Sequence, residues 1–154
     1  ALDPANLLIP IVGFLPFEDP RVQSTIDVTL EQLGDNGLIY RYLTDDGLPG
    51  GEGAFGLTTC WAAVALILSG RIVEGAALIA QVATHANHLG LFSEEFDTRT
   101  REQLGNFPQA FTHIGFINSA LYHARAQGRQ HGGPAPMGTR AHREEAGHDP
   151  SAAA

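Results

Sequence analysis

Lysine is absent from this 154-residue chain; its nine cationic side chains are all arginine, set against 17 acids, for a formal net charge of −8. So thin a basic complement argues against a nucleic-acid partner, because gripping a phosphate backbone takes clustered positive charge. The glycine-rich run "GGEGAFG" follows a loop and has no lysine, so it is not a phosphate-binding loop. With Cys60 as the single cysteine, no disulfide can form within the chain, and its setting in "LTTCWAAVALIL" marks it as a buried structural thiol. No run approaches the ~18 apolar residues that a membrane span needs; the longest is residues 62–68. The opening "ALDPANLLIPIVGF" lacks a basic segment, so it does not read as a secretory signal, and a cytoplasmic location is the expectation. No Gly-x-Ser-x-Gly nucleophile elbow is present.

What is there reads as helical. Hydrophobic residues make up 44% of the chain, enough for one domain with a real core. Asp19 followed by Pro20 is an N-cap and first helical position. Val22, Ile26, Leu30 and Leu33 then share one face up to Gly34. Before it, residues 4–14 predict a shorter apolar helix, and after it residues 38–43 predict an extended piece. Residues 54–69 are apolar almost all round, the mark of an inner helix buried on most sides. Residues 71–89 predict an outer helix with a stripe of Ile72, Ala76, Ile79, Ala80 and Ala83. The last helix is expected over residues 108–127, with Phe111, Ile114, Ile117 and Leu121 inward. From residue 128 on there is no Val, Ile, Leu, Phe, Tyr or Trp, so residues 128–154 are expected to be a disordered tail. The fold class is therefore all-α, with about five helices in antiparallel hairpins over residues 1–127.

Two polar segments interrupt this pattern. "YRYLTDDGLPGGEGAF" puts Arg41, Asp45, Asp46 and Glu52 among Tyr40, Tyr42 and Phe55. "LFSEEFDTRTREQLGNFPQ" holds Glu94, Glu95 and Asn106 beside phenylalanines. Each leads into an inner helix, which brings both loops to one mouth of a helical bundle. Carboxylates, an arginine and aromatic rings around a concavity suit a sugar, whose hydroxyls take hydrogen bonds while its apolar faces stack on rings. The plainer reading, a solvated acidic turn, stands beside it. His85 and His88 lie three apart on the outer helix, but without a third ligand they make no metal site and belong on its exposed edge. His113 reads as a packed or supporting histidine. His131, His142 and His148 have no ligand spacing.

"DDGLPGGEGAF", "CWAAVALILSGR" and "GLFSEEFDTRTREQLGNFPQAFTHIGFINSAL" closely resemble the bacterial glucoamylase and trehalase-like enzymes of glycoside hydrolase family 15, over residues 2–122. The resemblance implies an (α/α)6 barrel, here incomplete, and cleavage of α-glucosidic bonds with inversion by two carboxyl groups. It implies Glu94 as general base with Glu95 the runner-up, and Arg41 as an arginine clasping the sugar. Tyr42, Asp45, Glu52, Phe55 and Asn106 would line the substrate, an α-glucoside such as an oligosaccharide end or trehalose; no cofactor or metal is implied. The family's general acid sits in an upstream segment with Trp next to Glu. Trp61 has no such neighbour, so that half of the barrel is expected outside this chain. The chain alone is then expected to be inactive and to bind the upstream half or to self-associate. Two alternatives stay open: a non-catalytic truncated paralogue or helical module that binds glucosides or a partner protein, and an interaction domain whose acids only solubilise it.

Overall fold

The computed structural model describes residues 2–44 and 52–128. Asp45 and the expected tail from residue 129 lie outside the described residues. The chain is mainly helical: a 3-10 turn Pro4–Leu7 runs into α1 (Leu8–Ile11), followed by α2 (Pro20–Leu33), α3 (Gly56–Leu68), α4 (Ile72–Ala83) and α5 (Ala110–Ala126). Short strands β1 (Gly34–Asp35) and β2 (Leu38–Ile39) form one antiparallel pair, and β3 (Ala54–Phe55), β4 (Glu95–Phe96) and β5 (Gln103–Leu104) form an antiparallel sheet in the order β3-β4-β5.

Helix α2 starts as its sequence dictates. The Asp19 carboxylate accepts the Arg21 N–H at 2.9 Å and pairs with the Arg21 guanidinium at 2.7 Å. That side-chain hydrogen bond, seconded by the backbone one, holds the Asp19 carboxyl down at about 2. Val22, Ile26 and Leu33 are buried on the predicted face, where Thr29 joins them and Leu30 is half-buried. The chain then reverses through Asn36 and Gly37, both at positive φ, the two-residue Asn-Gly turn that matches strand twist.

The core centres on α3, ten of whose 13 residues are buried, as all-round apolarity requires. It forms a tight hairpin with α4 and packs along α5. Small residues set these contacts. A Cβ added to Gly75 of α4 would stand 2.6 Å from Ile67 Cγ1, and one added to Gly115 of α5 would stand 2.8 Å from Leu57 Cδ1.

Four expectations need correcting. The inward face of α5 is Thr112, Gly115, Ser119 and Tyr122, while Phe111, Ile114 and Ile117 are 61%, 54% and 56% exposed. Close approach of α5 to α3 selects small side chains, and the bulky apolar ones fall on the opposite side. On α4 the buried residues are Gly75 and Val82, with Ala80 and Ala83 exposed, so the face toward α3 is turned from the expected stripe. That helix also stops at Ala83, not Leu89. The Asn87 side chain accepts the Leu89 and Leu91 N–H groups, and Gly90 has φ +76°, so the chain turns instead of winding on. His85, expected on an exposed edge, is buried: its ring lies 4.8 Å from that of Phe96, and its Nδ1 sits 3.0 Å from the Gln81 carbonyl. His88 is exposed as expected.

Candidate functional site

The segment that carries Glu94 is not a plain loop. Residues 92–96 run across the end of the bundle and are tied at every step. The Phe92 carbonyl accepts the Gln109 N–H at 2.9 Å. The Glu94 N–H donates to the Asn106 carbonyl at 2.9 Å, and the Glu94 carbonyl accepts the Gly56 N–H at 3.0 Å. The last contact satisfies one of the N–H groups that the first turn of α3 leaves unpaired. Ser93 is fully buried and donates its hydroxyl to the Glu95 carbonyl at 2.6 Å. The side chain of Glu94 is held as firmly as its backbone. Its Oε2 accepts two hydrogen bonds from Asn106, from the amide Nδ2 at 2.7 Å and from the backbone N–H at 3.1 Å. Gly105, at φ +71°, lets the chain pass so close that a Cβ there would stand 3.0 Å from Glu94 Oε2.

Glu94 and Asn106 line a cleft of about 440 Å³ together with Arg41 and Phe55. The Arg41 guanidinium carbon lies 5.7 Å from the centre of the Tyr42 ring and 6.0 Å from that of Phe55, within cation–π range. The sequence reading thus picked four residues of one cavity from segments 65 positions apart (Arg41 to Asn106). It missed Asp3, Trp61, Gln109 and Phe111, which line the same cleft. Trp61 had a readable signal: with Leu57 and Thr58 it shares an i, i+3, i+4 face on the otherwise buried α3.

Glu95, Glu52 and Tyr42 form a separate group behind this wall. Neighbours along an extended chain point to opposite sides, so Glu95 turns away from the cleft and its Oε2 accepts the Gly53 N–H at 3.0 Å. Tyr42 donates its hydroxyl to Glu52 Oε1 at 3.2 Å. Burial pushes the Glu95 carboxyl above its ordinary range; the Gly53 N–H opposes this, and the charges of Glu52 and Glu94 add to it. The pair of adjacent glutamates is therefore split by environment, one at a solvent-open cleft and one half-buried. Where α3 meets α5, the Cys60 thiol is pushed up to about 12 by burial, which makes it inert packing.

The model of the family described as "Glycosyl hydrolases family 15" matches residues 1–77 and 72–121. The chain belongs to that family. It is 41% identical over 130 residues to a trehalase of Mycolicibacterium smegmatis, an alignment that covers 82% of this chain and 20% of the relative. It is 42% identical over 120 residues to a trehalase of Thermoplasma acidophilum, covering 77% of this chain and 21% of the relative. A trehalase of Mycobacterium tuberculosis is 40% identical over 130 residues, 82% of this chain and 19% of the relative. The family 15 chain thus spans about a fifth of the length of these curated relatives. No solved structure matches it. Among the described residues no helix is long and apolar enough to cross a membrane.

Proposed function

We propose that this chain supplies the general base and one wall of the glucose site to a family 15 enzyme that hydrolyses an α-glucoside, trehalose being the preferred substrate. The observation that carries the reading is the Glu94 carboxylate, clamped by Asn106 at the rim of a cleft that it shares with Arg41. A general base must be ionised and fixed within hydrogen-bond reach of the water it activates. Two N–H donors on Oε2 set the orientation of the carboxylate, which leaves Oε1 to accept the proton of the attacking water. Arg41, with Phe55 below its guanidinium, offers donors to sugar hydroxyls beside an aromatic face for the ring. Trehalose is favoured over other α-glucosides because the relatives are named trehalases.

Inversion also needs a general acid about 6.5–9.5 Å from the base, across the scissile bond. In this reading the acid comes from another part of a longer polypeptide, so the 154-residue chain by itself does not turn over. The exposed Phe111, Ile114 and Ile117 of α5, continued by Val12 and Phe14 near α1, form the apolar flank on which that part of the barrel rests. The lone Cys60, buried and unpaired, fits work in the reducing cytoplasm.

The test is made in the full-length enzyme, with glucose release from trehalose followed by proton NMR so that the anomer formed first is seen. Glu94→Gln keeps the shape and removes the base, so kcat should fall by roughly 10²–10⁴-fold while KM changes little. Glu95→Gln should be far milder. A crippled Glu95→Gln beside a near-normal Glu94→Gln assigns the role to the wrong glutamate.

A further inference from the structure

We propose that His113 is a positioning residue for Glu94: a neutral imidazole, protonated at Nδ1 alone, that ties the first turn of α5 to the segment carrying the carboxylate. The inference rests on the reading of Glu94 as the base, and its geometry comes from the two ring nitrogens. Nδ1 lies 2.7 Å from the Gln109 carbonyl oxygen, which can only accept, so Nδ1 bears the hydrogen. Nε2 lies 3.3 Å from the backbone nitrogen of Phe92, whose N–H can only donate, so Nε2 presents its lone pair. Neither the other neutral tautomer nor the imidazolium satisfies both partners; each would set an N–H against an N–H at Phe92.

The ring therefore closes a loop of contacts. Gln109 donates its N–H to the Phe92 carbonyl at 2.9 Å, so both backbone groups of Phe92 are held by residues 109 and 113. Phe92 is buried, and its ring packs edge-on against the imidazole at a centroid distance of 5.2 Å. Two residues on, the backbone of Glu94 is pinned between Asn106 and Gly56. Gln109 itself lines the cleft. Without the imidazole acceptor, the Phe92 N–H is left buried and unpaired, and the segment relaxes toward another acceptor, carrying Glu94 with it. A base displaced by about 1 Å loses on the order of 10²-fold in rate.

Two substitutions separate this role from packing. His113→Phe keeps a flat ring against Phe92 and removes both hydrogen bonds; His113→Gln places an amide oxygen near the position of Nε2 and restores the acceptor. In the full-length enzyme acting on trehalose, His113→Phe should lower kcat roughly 10- to 100-fold with KM nearly unchanged, and His113→Gln should recover most of the loss. Nitrogen-15 NMR of the histidine-labelled 154-residue chain, recorded at about pH 8 where an ordinary imidazole is neutral, should show Nδ1 protonated and Nε2 bare. An Nε2–H tautomer overturns the proposal. So does a His113→Phe enzyme with unchanged kcat, or a His113→Gln enzyme as impaired as His113→Phe. If Glu94→Gln proves harmless, the base reading has failed, whereas the tautomer still decides the contact to Phe92.

Discussion

Replacing Gly56 by alanine probes how tightly the helix behind the cleft is seated. Gly56 opens α3 opposite Thr112 of α5, and a Cβ there would stand 2.6 Å from Thr112 Cγ2 and 3.0 Å from Phe96 Cε2. Carbon atoms rest at about 3.5–4.0 Å, so the new methyl overlaps Thr112 by about 1 Å. Both neighbours are fully buried and have nowhere to move. Such overpacking costs about 1–3 kcal/mol, while the helix gains at most about 1 kcal/mol when alanine replaces glycine. The net expectation is a loss of about 1–2 kcal/mol. Thr112→Ser removes the clashing Cγ2 and, as one buried methyl, should cost about 1 kcal/mol alone. Combined, the two changes should cost less than their sum by about 1 kcal/mol, because the second relieves the strain of the first. Urea unfolding of the four chains gives these terms as shifts in midpoint at constant m-value. A Gly56→Ala chain with an unchanged midpoint refutes the close approach. Strictly additive costs refute Thr112 as the obstacle.

The Glu95 carboxyl has a raised pKa in the folded chain, chiefly from burial. Its contribution to stability is thus full below the unfolded carboxylate value and lost as pH rises through the folded one. Glu95→Gln should accordingly be more stable relative to wild type at pH 7 than at pH 4; thermal melts at both values that show a constant difference contradict this. Cys60, buried with its thiol pushed up to about 12, should react with a disulfide reagent only after urea is added, and fast labelling of the native chain would show α3 to be open. Arg71 joins Asp27 of α2 and Glu74 of α4, but all three are partly exposed. Arg71→Met should cost less than about 1 kcal/mol and less still in 1 M salt; a larger or salt-independent loss would make the bridge a structural anchor.

Much of the fold was legible because local chemistry and tertiary structure agree. Asp19-Pro20 marks the start of α2, and the unbroken apolarity around Cys60 marks α3 as the central helix. Where they disagreed, size decided and not polarity. On α5, reading apolar residues as inward put Phe111, Ile114 and Ile117 in the core, but the face that meets α3 is built from Thr112, Gly115 and Ser119. Strands of two residues carry no period to detect, so the β4–β5 hairpin was unreadable; the Asn36-Gly37 pair that turns β1 into β2 was a signal in the sequence that the reading passed over. At the cleft, Arg41, Phe55, Glu94 and Asn106 were identified through a whole motif, while Gln109 was missed because it reads as an ordinary helix residue and Trp61 because the face it shares with Leu57 and Thr58 was passed over. That Glu94 and Glu95 point to opposite sides follows from an extended segment; the partners of each, Asn106 for one and the Gly53 N–H for the other, became visible only with the strand in place.

The glycine contacts of α3 also bear on how the molecule can move. Gly56 seats against Thr112, Gly115 against Leu57, and Gly75 against Ile67 and the Ala63 carbonyl. These are three notches on two sides of one rod. Sliding α3 by a single residue, a rise of about 1.5 Å, would lift all three teeth from their slots at once and drive side chains into backbone. The rod has no intermediate stop. Any opening or closing of the cleft is therefore borne by the segments at its rim, while α3, α4 and α5 travel as one block beneath them.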